Sequence, residues 1–258
     1  FLGFCRAIGL FRLARWLTRN RLKILCYHGF ELDDEAAFRP KLFIKAEKFE
    51  RRLDAIEHYG LRVLTLDEAV ARLYARTLPD NSLVITVDDG FESFRRIAVP
   101  RLQNHQFPAT VYVTTYYVQH ATPIFRLVVQ YMFWKSPKNS LVLDNVSWSQ
   151  QQTTDLTVPA QVQRVMWDCI NYGEREATEE ERRQICEALG QLLGTPYSEI
   201  VRSRILHLMS PQELASLSEA NIDVELHTHR HTFSSDDAAL AEREIADNRR
   251  ALRQWIAS

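Results

Sequence analysis

Neither sign of charge is in excess in this chain: 32 Lys plus Arg face 33 Asp plus Glu, a formal net of −1 over 258 residues. That balance excludes a general polyanion binder, and no run of Lys or Arg interleaved with aromatics points to nucleic acid. Cysteine is scarce. Cys5, Cys26, Cys169 and Cys186 show no C-x-x-C spacing and lie within apolar or helical runs. They read as buried thiols, with no disulfide framework and no second, cysteine-based metal site indicated. Also missing is an apolar stretch long and uncharged enough to cross a bilayer. The N-terminus comes nearest, where Leu2, Phe4, Ile8, Leu10, Phe11, Leu13 and Trp16 are interrupted by Arg6, Arg12 and Arg15. This predicts a basic amphipathic helix within residues 1–21, either covering the bottom of the fold or lying on a membrane surface. An uninterrupted signal core with a small-residue cleavage site is not seen. Action on the cytoplasmic side is therefore expected, the alternative being export with a signal carried outside this sequence.

A chain of this length suits one α/β domain with an insertion. Lys23 to Tyr27 is strand-like. Ala46 to Tyr59 carries Phe49, Leu53 and Ile56 at helical spacing and meets Gly60 as a stop. A short strand at Leu61 to Leu64 and a helix from Leu66 to about Arg76 follow. Ser82 to Val87, β-branched and nearly all apolar, reads as a strand buried on both faces. A helix to about His105 and the strand Ala109 to Val113 continue the alternation, which implies parallel strands with right-handed crossovers.

Two segments carry the chemistry. The buried strand ends in Asp88-Asp89-Gly90, and the alternating stretch Ile222 to Leu226 runs into His227-Thr228-His229-Arg230-His231. Adjacent carboxylates stay ionised only beside a cation or a proton, and imidazoles four residues apart supply the neutral nitrogens that zinc-like ions prefer. Each segment alone has a bland reading, as a turn or a solvated loop. Both follow strands, and in parallel α/β folds the carboxyl ends of strands share one face. His227 and His231 can converge in a helical or an extended conformation, whereas His229 joins them only if the stretch is extended.

These residues resemble the polysaccharide deacetylases of the NodB-homology type, carbohydrate esterase family 4, with signatures T-F-D-D-G and H-[ST]-x-x-H. Here they stand as Thr86-Val87-Asp88-Asp89-Gly90 and His227-Thr228-His229-Arg230-His231. Leu25 to Phe30 resembles the family's opening Tyr-His strand, and Phe107 to Val113 its strand after the first motif. The resemblance implies a distorted (β/α)7 barrel over residues 22–258. It implies that Asp89, His227 and His231 bind a divalent metal ion, zinc with cobalt or nickel as alternatives, and that Asp88 is the catalytic base. It also implies hydrolysis of acetyl groups, N-acetyl foremost, from a glycan. Val87 replaces the usual Phe, and Thr232 stands where Pro is usual. The family's later stretch, with a bracing arginine, a pocket wall and a histidine general acid, is expected beyond Ser258.

Between about residues 116 and 209 the resemblance fades, and a mostly helical insertion is expected. Gln161 to Ile170 and Glu179 to Leu193 read as amphipathic helices, the second stopped by Gly194. The aromatic run Phe125 to Trp134 is core or a sugar-stacking wall. Rival readings are an inactive deacetylase-like glycan-binding domain and a different single-metal hydrolase such as a phosphoesterase. The latter chemistry usually favours two metals, and no third ligand cluster is visible.

Overall fold

Five parallel strands organise the computed structural model, which describes residues 2–256 apart from 145, 147 and 150–152. They are β1 (Lys23–Tyr27), β2 (Arg62–Val63), β3 (Ser82–Val87), β4 (Ala109–Val113) and β5 (Ile222–Leu226). β3 is central: β1 runs alongside its length, β2 pairs with its beginning and β4 with its end, and β5 pairs with β4. All six residues of β3 are buried, as an apolar, β-branched strand between neighbours requires. β5 alternates, with Ile222 buried and Asp223 and Glu225 exposed, so it is covered on one face. The sheet is of the expected parallel α/β kind, but it does not close into a barrel among the described residues.

The helix Ala46–His58 covers the sheet with Phe49, Leu53 and Ile56, each at most 3% exposed. Burying each contributes about 2–3 kcal/mol. Thr65 caps the helix Leu66–Tyr74 by accepting from the backbone N–H of Glu68. After β3 a five-residue π-type stretch, Phe94–Ala98, runs into the helix Val99–Asn104.

The region expected as an insertion contains the helices Phe125–Lys135, Pro159–Arg175, Glu179–Leu193 and Tyr197–Ser203, and an antiparallel pair of short strands, Ser140–Val142 and Thr153–Asp155. The aromatic run is core: Phe125, Tyr131 and Phe133 are buried, and Trp134 alone of the four aromatics is exposed. Thr178 and Glu181 close a reciprocal capping box, and Gly194 ends that helix at φ +70°.

Two further expectations differ from the structure. The N-terminal segment forms two helices, Leu2–Ala7 and Leu10–Leu17, because Gly9 takes the left-handed conformation at φ +78°. The second buries none of its residues, so it does not cover the sheet as a packed helix would. Phe1 lies outside the described residues. Cys26 is exposed, unlike the buried Cys5, Cys169 and Cys186, because it shares a face of β1 with Ile24, itself 55% exposed.

Candidate active site

The carboxyl ends of β1, β3, β4 and β5 meet on one side of the sheet, and their register decides who meets whom. Cys26 lies opposite Thr86 and Tyr27 opposite Val87, so the next residues, His28 and Asp88, also come together. The backbone N–H of Asp88 extends the ladder by donating to the Tyr27 carbonyl at 2.9 Å. The chain then turns sharply through Asp89 (φ +72°) and Gly90 (φ +84°). Aspartate tolerates that conformation locally. Gly90 is required there twice over, since a Cβ at this position would lie 3.1 Å from both methyl groups of Val113. Met209 locks the turn from the far side of the long helical region, its N–H donating to the Gly90 carbonyl at 3.0 Å.

Asp89 is only 4% exposed. Its Oδ1 lies 3.4 Å from His227 Nε2 and 3.3 Å from His231 Nε2, and it accepts no hydrogen bond. Burial alone would raise the pKa of this carboxyl; His227, His231 and His28 outweigh it and hold it below the usual range. The nearby Asp89 carboxylate in turn raises the pKa of His227, against burial. A buried, unbonded carboxylate oxygen facing two imidazole nitrogens is the donor set of a divalent metal. Metal–ligand bonds of about 2.0–2.1 Å on a tetrahedral ion put neighbouring donors about 3.3 Å apart, which these distances match. The residues present therefore fit a metal ion.

His229 does not join them. Positive φ angles at Thr228 and His231 break the extended path. His229 is turned inward and buried, with its Nδ1 2.8 Å from Thr115 Oγ1. Its carbonyl accepts from Tyr116 N and Thr114 Oγ1. Burial lowers its pKa.

Sequence reasoning missed the residues that brace this loop. Asn248 and Glu244 project from the helix Ala238–Trp255 and are at most 1% exposed. Asn248 accepts from the His227 N–H at 3.0 Å and donates to the Val113 carbonyl and Thr115 Oγ1, both at 2.9 Å. Glu244 accepts from the Arg230 backbone and guanidinium, both at 2.6 Å. The available signal was polar residues on the buried stripe shared with Ala241, Ala251 and Leu252. His28 was missed as well, though its strand had been singled out. Its Nε2 lies 3.7 Å from Asp88 Oδ2.

A cavity of about 550 Å³ opens beside this centre. His28, Asp89 and His231 line one end, and Tyr116, Arg126 and Arg175 come from the long helical region. The volume lies in the range of small-ligand sites.

A family model described as polysaccharide deacetylase matches residues 75–258. No curated protein matches. Among solved structures, a Streptococcus pyogenes deacetylase, PplD, in complex with acetate is similar at TM-score 0.53 and 13% identity, over 91% of this chain and 69% of that one. A de-N-acetylase from Aggregatibacter actinomycetemcomitans gives TM-score 0.46 and 12% identity, over 92% of this chain and 76% of that one. BC0361, a polysaccharide deacetylase from Bacillus cereus, gives 0.45 and 14%, over 92% and 48% respectively.

Proposed function

Because the chain belongs to the polysaccharide deacetylase family, we propose that it hydrolyses acetyl groups, N-acetyl foremost, from a glycan bound in the cavity beside Asp89. The observation that carries this reading is the buried Asp89 oxygen, without a hydrogen bond, between His227 and His231, with the second carboxylate of the pair next to it. Asp89, His227 and His231 would hold the divalent ion, zinc by donor chemistry, which when bound supplies Lewis acidity to water and to the acetyl carbonyl.

The chain's own groups move the protons. Asp88, half-buried and adjacent in sequence to Asp89, takes a proton from the water that attacks the carbonyl carbon. A C–O bond forms, the C–N bond breaks, and the sugar nitrogen needs a proton to leave as an amine. We assign this donation to His28, which lines the cavity and whose Nε2 lies 3.7 Å from Asp88 Oδ2. The proton gathered by Asp88 can return through this pair to His28 for the next turnover. A donor was expected beyond Ser258; the geometry supports one inside the chain.

Acetate release from a panel of N-acetylated and O-acetylated oligosaccharides by zinc-loaded protein tests this reading. Release from N-acetylated members is expected. Binding without release from any member would favour the glycan-binding alternative.

We further propose that the N-terminal segment contacts an anionic lipid surface. Phe4, Phe11, Leu13 and Trp16 are 46–67% exposed, and Arg12, Arg15, Arg19 and Arg21 accompany them. No Asp or Glu occurs in the first 30 residues. Such a face gains both apolar burial and charge attraction at an anionic bilayer. Co-sedimentation with phosphatidylglycerol vesicles, lost on Trp16→Glu, is expected. Equal binding to phosphatidylcholine alone, or dimerisation without vesicle binding, would overturn it. We also propose action on the cytoplasmic side, and expect the protein in intact cells to resist external protease.

A further inference from the structure

Beside the Asp89 centre lies a second set of three donors built from different strands. Cys26 Sγ, a His28 ring nitrogen and an Asp88 carboxylate oxygen all lie within 4.8 Å of one another. Cys26 Sγ is 3.3 Å from Asp88 Oδ2, and His28 Nε2 is 3.7 Å from the same oxygen. A tetrahedral ion with sulfur at about 2.3 Å and nitrogen or oxygen at about 2.0–2.1 Å places its donors about 3.3–3.6 Å apart. The two edges to Asp88 nearly meet that spacing, and the Cys26–His28 edge, within 4.8 Å, closes by side-chain rotation. One thiol, one imidazole and one carboxylate form a soft-leaning set that favours zinc or cadmium over magnesium or calcium.

Access is also present. Cys26 is exposed, and a separate cavity of about 310 Å³, lined by Cys26 and His28 among others, leads to the cluster. We propose that Cys26, His28 and Asp88 form a second, weaker metal site for a thiophilic divalent ion, and that filling it stops turnover. The inhibitory half rests on the functional reading above, in which Asp88 is the base and His28 the proton donor. An ion on their lone pairs removes both roles at once. Binding must also release the thiol proton, so the second ion binds more weakly than the first and more weakly still in acid.

The cysteines carried no recognisable metal spacing in sequence because Asp88 lies 60 residues beyond His28 and is brought to Cys26 and His28 only by the β1–β3 register.

The test starts from protein carrying one equivalent of zinc, titrated with cadmium. Three quantities are followed: bound metal by elemental analysis, the ultraviolet thiolate-to-cadmium charge-transfer band, and acetate release. Wild type is expected to take up a second equivalent with the band and to lose at least about 90% of its activity. Cys26→Ser and Cys26→Ala should keep the one-equivalent activity, lose the band, and weaken uptake of the second ion by about 10–100-fold. Absence of the band in wild type, or inhibition of both variants at the wild-type cadmium concentration, would overturn the site. A band and a second equivalent with full activity would leave the site standing and overturn the assignment of Asp88 and His28.

Discussion

Asn248 is the residue whose removal most cleanly separates a braced loop from a merely adjacent one. It is fully buried and makes three hydrogen bonds, to the His227 N–H, the Val113 carbonyl and Thr115 Oγ1. Asn248→Ala removes the bonds to a part-buried His227 N–H and a buried Val113 carbonyl, while Thr115 keeps its contact with His229. Each orphaned buried group costs about 1–3 kcal/mol. A total of about 2–6 kcal/mol follows, or a melting temperature lower by about 4–24 °C at roughly 2–4 °C per kcal/mol for a chain of this size. The loop carrying the proposed metal ligands His227 and His231 loses its tether in the same step, so zinc affinity should fall by about 10–100-fold, as for other partners that orient ligands. Asn248→Asp divides the two effects. It keeps an acceptor for the His227 N–H but turns a second oxygen toward the Val113 carbonyl and buries a charge, so it should lose stability while holding zinc better than the alanine variant. Calorimetric unfolding with and without zinc, together with competition for zinc against a chelator, provides both readouts. An alanine variant that melts within about 2 °C of wild type and binds zinc within about twofold would refute the bracing argument.

Asp88→Asn should retain the metal and lose about 10²–10⁴ in turnover, since an amide cannot take the water's proton; Asp89→Asn should lose metal affinity first, as seen by elemental analysis. Zinc at a hundred times its Kd should stabilise the protein by about 2.7 kcal/mol, raising the melting temperature by about 5–11 °C, and chelation should reverse this; no shift in either direction would remove the metal from the Asp89 site. Away from the site, His105 is bonded to Glu57 at 2.9 Å and Glu50 at 3.1 Å. Burial works to lower its pKa, but those two carboxylates raise it above the usual 6.5. Its contribution is therefore complete below that value and disappears as pH rises through the higher folded-state pKa. His105→Gln should destabilise the protein most below pH 6.5 and least in alkaline solution, and an equal loss in melting temperature at both ends would contradict the ion-pair account.

What could be read in the sequence was what depends on neighbours along the chain. Ser82 to Val87 carries Leu83, Ile85 and Val87 on one face and Val84 between the small hydroxyl residues Ser82 and Thr86 on the other, so burial on both sides and a place inside a parallel sheet follow from composition. Phe49, Leu53 and Ile56 have one helical face between them, and Gly60 marks where it ends. The site was legible to the same extent: Asp88-Asp89 and His227-x-x-x-His231 each terminate a strand, and parallel strands present their ends together. Illegible were the features set by pairing across the sheet and by distant helices. Nothing local says that Tyr27 lies opposite Val87, yet that register alone brings His28 and Cys26 to Asp88. His229 shows the same limit from the other side. Its spacing from His227 and His231 is what an extended strand would need for a third ligand, and two positive φ angles, with a partner on Thr115, turn it into the interior instead. Glu244 and Asn248 make the point sharpest. Polar residues on the buried stripe of the last helix look like flaws in an amphipathic pattern until the backbone of the histidine loop supplies their partners. A break in the hydrophobic pattern at core positions therefore marks where a helix holds a functional loop.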